Sequence, residues 1–112
     1  MVIKQERFDK YAIITAEGRL EVNYFDEFKI IIDELVAAGL KNIIIDCKDL
    51  FFISSAGLRV IIMTLKEMQK VQGRLMFAAL HDNIRSVFVI TGYAQLLEIY
   101  ETTEDAVQSI QN

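Results

Sequence analysis

The run Ile43-Ile44-Ile45 constrains this chain more than any other stretch, because three consecutive branched apolar residues cannot alternate between a wet face and a dry one. A strand from Asn42 to Cys47 that carries them has to be buried on both faces, the condition of a central strand in a parallel sheet. The segments around it alternate accordingly. Val2 to Phe8 and Tyr11 to Glu17 read as two strands joined at Asp9-Lys10, the second rich in β-branched and aromatic residues. Gly18 to Asn23 reads as a loop. Phe25, Phe28, Ile31, Ile32, Leu35 and Val36 then recur at helical spacing until Gly39. Leu58, Ile61, Ile62 and Leu65 predict a second helix running to about Gln72 and ended by Gly73. Arg74 to Leu80 follows as a strand, Asn83 to Gly92 as a helix, Ile99-Tyr100 as a short strand and Thr103 to Ile110 as a closing helix. The order β-β-α-β-α-β-α-β-α implies right-handed crossovers and a mostly parallel sheet, hence an α/β fold.

The 112 residues, 53% of them hydrophobic, fit one domain spanning residues 1–112, with no proline, repeat or linker to divide it. Sixteen acidic against 12 basic residues give a net charge of −4, and the basic residues are scattered, which argues against nucleic-acid binding by counterion release. The N-terminus lacks the apolar stretch of a secretory signal and no 18-residue apolar run occurs, so the expected setting is cytoplasmic, without direct membrane insertion. The only cysteine, Cys47, can form no internal disulfide and reads as a buried structural thiol.

Catalytic machinery is sparse. A Ser-His-Asp triad would need His81, the only histidine, and the sequence around Ser55 has no G-x-S-x-G elbow. No Walker loop or G-x-G-x-x-G fingerprint is present. Cys47, His81 and the nearest carboxylates lack metal-ligand spacing, and Asp46 and Asp49 lack the acidic companions a phosphoryl-accepting magnesium site requires. No cofactor, no metal and no enzymatic activity are expected. His81 reads as a helix-entry or surface residue, and Phe51-Phe52 as core or rim packing.

One stretch remains chemically suggestive: Ile53-Ser54-Ser55-Ala56-Gly57-Leu58, two hydroxyls and two small residues where an apolar segment meets the second helix. From spacing alone both serines read as helix caps. Val60, Met63 and Val71 lie off the Leu58-Ile61-Ile62-Leu65 stripe, and form either a docking face or a contact with a neighbouring helix.

With this junction, with Gly18-Arg19-Leu20-Glu21 ahead of the first helix, and with this element order, the chain resembles the STAS domain family, particularly bacterial anti-sigma factor antagonists. The resemblance spans essentially the whole chain. It implies a sheet of about five mostly parallel strands with helices largely on one side. It also implies a function: the unphosphorylated protein binds a serine-kinase anti-sigma factor or similar switch kinase, phosphorylation at Ser55 releases it, and a PP2C-type phosphatase reverses the change. The family junction usually begins Asp-Ser, so Ser54 here replaces an Asp, and Glu21 replaces the common Asp of the earlier loop. The partner surface implied comprises Glu21, Asn23, Ser54, Ser55, Ala56, Gly57 and Arg59, with Ser54 as the cap. The alternative role is that of a non-switching subunit bracing a transporter or lipid-transfer assembly.

Overall fold

A computed structural model describes residues 2–21 and 25–111. Six strands form the sheet: β1 (Val2–Arg7), β2 (Ala12–Leu20), β3 (Asn42–Asp46), β4 (Leu50–Ile53), β5 (Arg74–Ala78) and β6 (Glu98–Tyr100). The four α-helices are α1 (Phe25–Ala37), α2 (Ser55–Lys70), α3 (Asp82–Thr91) and α4 (Thr103–Gln111), and a short 3-10 turn covers Tyr93–Gln95. The sheet order is β1-β2-β3-β5-β6, with β4 paired to β2. Among the described residues only the β1–β2 hairpin is antiparallel; β2–β3, β3–β5, β5–β6 and β2–β4 are parallel.

The triple isoleucine does what its pattern demands. Ile43 and Ile45 enter the larger core, beneath Phe28, Ile32 and Leu35 of α1, Leu58, Ile61 and Met68 of α2 and Ile84 and Phe88 of α3. Ile44 points the other way, joining Met76, Ala78 and Ala106 of α4 in a smaller cluster. Three helices therefore cover one face, and α4 alone covers part of the other.

Three sequence expectations shift. Gly18 does not end β2: with φ at 107° it sits at a bulge, and the strand continues through Leu20 to pair with β4. The strand β4 itself, four residues with both central side chains exposed, has no alternation to betray it. Its pairing, Gly18 with Leu50 but Arg19 with Phe52, leaves Phe51 as the extra residue of the bulge. At the far end, α2 closes earlier than expected, at Lys70, and Gln72 rather than Gly73 takes the left-handed conformation, at φ 58°. Glycine is required at 73 for a different reason: a Cβ there would lie 2.8 Å from the Lys41 carbonyl oxygen.

Candidate functional site at the entrance to the second helix

Strand β4 delivers the chain to α2 at Ser54, whose extended backbone (φ −82°, ψ 168°) makes it the N-cap. Its Oγ accepts the Gly57 N–H at 2.9 Å, and the same hydroxyl donates to the Leu20 carbonyl at 3.4 Å. The Ser54 N–H donates to that carbonyl as well, at 3.1 Å, and the Leu58 N–H closes the first turn on the Ser54 carbonyl at 2.8 Å. The hydroxyl of Ser54 is thus fully engaged in holding the start of α2 against the end of β2.

Gly57 makes that contact possible. It is buried, and a Cβ added to it would collide with the Leu20 carbonyl oxygen and stand 2.8 Å from the Leu20 carbonyl carbon. The helix therefore approaches β2 as closely as a backbone without a side chain permits. Ala56 beside it is half-buried.

Ser55, the first residue of α2, is exposed, and its hydroxyl has no hydrogen-bond partner among the described residues. One turn on, Arg59 is also exposed and forms no ion pair or side-chain hydrogen bond among the described residues. The first turn of α2 carries no acidic residue, whereas α1, α3 and α4 carry Asp26 and Glu27, Asp82, and Glu104 and Asp105 there. The positive end of the α2 dipole is left without a resident carboxylate. Glu21 is exposed at the end of β2, 3.7 Å from Arg19 Nε. Asn23 lies outside the described residues. The structure thus brings Glu21, Ser54, Ser55, Ala56, Gly57 and Arg59 to the region where β2, β4 and α2 converge.

Around the junction lies a rim built from Phe51, Phe52 and His81, which the sequence reading placed at core or rim and at a helix entry, and from Arg19 and Asn83, which it did not mark. The Arg19 guanidinium stacks on the Phe52 ring, 3.9 Å from its centroid, and Phe51 tilts against His81 with ring centres 5.0 Å apart. His81 Nε2–H donates to the Lys48 carbonyl at 2.6 Å, and Asn83 Nδ2–H donates to the Phe51 carbonyl at 3.2 Å. These bonds brace β4 and its preceding loop against the start of α3. Phe51, 58% exposed, and Phe52, 36% exposed, are rim and not core. Consecutive aromatics one residue ahead of a helix cap were the available signal for this rim.

Off the stripe of α2, Val60 is buried in the core and Met63 is 38% exposed, so these positions divide between packing and surface. Cys47 is buried, and burial, with the neighbouring Asp46 charge, pushes its thiol far above the ordinary range. It is a packing residue with negligible thiolate character. Asp46 turns back on its own loop, accepting the Lys48 N–H at 3.1 Å. The described residues hold no group of three or more His, Cys, Asp or Glu side chains placed to bind a metal, and no helix is long and apolar enough to cross a membrane.

Fold and site together define a small α/β domain whose second helix opens on an exposed serine and an exposed arginine, neither with a side-chain partner among the described residues. The chain belongs to the STAS domain family, which it matches over residues 2–106. BtrV of Bordetella bronchiseptica, named as an anti-sigma factor antagonist, is 27% identical over 106 residues, covering 95% of this chain and 91% of BtrV. The anti-sigma-B factor antagonist of Staphylococcus aureus is 26% identical, covering 86% and 89% of the two chains. The phosphorylated form of the Bacillus cell fate determinant SpoIIAA superposes with a TM-score of 0.71 at 19% identity, over 96% of this chain and 99% of that one.

Proposed function

We propose that this protein is an anti-sigma factor antagonist that works by partner switching, with Ser55 as the residue whose phosphorylation state sets the outcome. In the unphosphorylated form, Glu21, Asn23, Ser54, Ser55, Ala56 and Arg59 bind a serine-kinase anti-sigma factor or similar switch kinase, while buried Gly57 seats the helix entrance against β2 and does not itself touch the partner. Sequestering that kinase frees its client. Phosphorylation of Ser55 ends the complex, and a PP2C-type phosphatase restores it.

The observation that carries this reading is the division of labour between the two serines. Ser54 is held at both ends, by the Gly57 N–H and the Leu20 carbonyl. Ser55 stands exposed beside it with its hydroxyl free among the described residues. A kinase can reach the second without dismantling the helix start. Relatives named as antagonists, and a structural relative solved in a phosphorylated form, support the same reading.

The chemistry follows from charge. A phosphate adds about −1.5 to −2 charges and three acceptor oxygens. At the first residue of α2 it meets free N–H groups and an unopposed positive dipole end, so the modified domain stays folded. A partner packed on that spot instead meets repulsion and desolvation, and a cost of about 2 to 4 kcal/mol is enough for a tens- to thousandfold loss of affinity.

The test is a calorimetric titration of the partner kinase with wild type and with Ser55→Asp. The expected result is at least a tenfold weakening by the added carboxylate. Unchanged affinity would favour the non-switching bracing role and defeat the proposal.

A further inference from the structure

The switch as described adds charge at one position; the geometry of α2 points to a second event at Arg59. We propose that Arg59 is the internal receptor of the phosphate on Ser55, so that modification both adds an anion and withdraws a cation from the same surface. The inference rests on the phosphorylation reading above and specifies how that site is regulated.

Ser55 opens α2 and Arg59 follows four residues later in the same unbroken helix. Residues at this spacing face one another on the helix surface, about 5–6 Å apart at Cβ. A helical side chain leans toward the N-terminus and covers the turn before its own Cα, so Arg59 is directed toward Ser55 and not away from it. An anion N-terminal to a cation at this spacing is also the favourable orientation. The guanidinium offers a planar fork of donors suited to two phosphate oxygens.

Competition for Arg59 is low. Among the described residues it has no ion-pair partner. Two other cations, Arg19 of β2 and Lys29 of α1, already have partners: Arg19 lies against Glu21 and over Phe52, and Lys29 is held by Asp33 and Glu67. No acidic side chain in the first turn of α2 repels the phosphate or draws Arg59 from it. Before modification the guanidinium is exposed and unpaired among the described residues, able to meet an acidic group of a partner. Afterwards it is folded back onto its own helix.

The direct test installs phosphoserine at position 55 of the full chain by genetic encoding, without any kinase, and follows the phosphate by phosphorus NMR across pH. The second ionisation of phosphoserine lies near pH 6, and a facing cation favours the dianion. The wild-type midpoint is expected about 0.2–0.4 pH units below that of Arg59→Gln, with Arg59→Lys between them. The separation should collapse in roughly 1 M salt, where charge screening is short-ranged. Coincident midpoints in wild type and Arg59→Gln would overturn the inference. Because the phosphate is placed without the kinase, a failed Arg59 contact is distinguished from a failed partner switch, which is read separately by partner binding of the same phosphorylated chain.

Discussion

Two arginines, Arg59 and Arg74, divide this molecule into a surface left open and a junction that is closed. On the α4 side of the sheet, Arg74 uses its whole fork. Nη2 donates to Glu98 Oε1 at 2.7 Å and to Ser109 Oγ at 3.1 Å, Nε donates to Glu98 Oε2 at 3.1 Å, and Tyr100 OH donates to Glu98 Oε1 at 3.1 Å. This network joins β5, β6 and α4 where the smaller apolar cluster alone is thin. Its electrostatics agree: the hydrogen bonds from Arg74 hold the Glu98 carboxyl below its usual range against the opposing effect of burial. At the α2 entrance the backbone is tied as tightly, through Ser54, Gly57 and the Leu20 carbonyl, yet Ser55 and Arg59 are left without partners among the described residues. A polar group satisfied inside the fold contributes to stability, whereas one presented on a rigid frame is available to a second molecule or to modification.

The largest expected effect comes from disturbing the frame itself. Gly57→Ala forces a methyl into the Leu20 carbonyl, and overpacking of this kind costs about 1–3 kcal/mol. Denaturant unfolding should show that loss, together with weakened partner binding; near-wild-type stability would mean the α2 entrance is not rigid. Next in size, Arg74→Met removes charged hydrogen bonds at a half-exposed site, with an expected loss of about 1–2 kcal/mol after solvent screening is allowed for. Amide exchange should accelerate in α4 and β6 while α2 exchange and partner affinity hold. Equal acceleration in α2 would dissolve the contrast between the two regions.

The two serines differ in what their loss should cost. Ser54→Ala should cost about 1 kcal/mol through the lost cap, and Ser55→Ala less than about 0.5 kcal/mol, as for an exposed side chain without partners. Thermal melts measure both, and a reversed order would exchange the roles assigned to them. The smallest effect is set by acid. Glu98 has a depressed pKa in the folded protein, so its contribution is present above its unfolded value near 4.3 and is lost as pH falls through the lower folded value. Between neutral pH and about pH 5 the Arg74 junction should be insensitive, and Arg74→Met should flatten the acid limb of the stability curve.

Much of this arrangement was legible in the residues. Ile43-Ile44-Ile45 announced a strand buried on both faces, and the stripes beginning at Phe25 and Leu58 announced α1 and α2. The cap at Ser54 was legible because capping chemistry is local. What escaped depended on contacts between distant residues or on very short elements. The strand β4 hides because Phe51 and Phe52 both face outward and its only partner is the end of β2 beyond a bulge. Gly18 reads as a terminator and serves as that bulge. The need for glycine at 57 is set by the Leu20 carbonyl, and the stacking of Arg19 on Phe52 by the register of β2 with β4, neither of which a local pattern encodes.

On the proposed function, the free hydroxyl at the α2 entrance, and not its capped neighbour, accepts the phosphate. Mass spectrometry with peptide mapping, after incubation with ATP and a serine-kinase anti-sigma factor from the source organism, tests it in wild type, Ser54→Ala and Ser55→Ala. One added phosphate on Ser55 is expected in the first two and none in the third. Modification of Ser55→Ala to the same extent as wild type would contradict it.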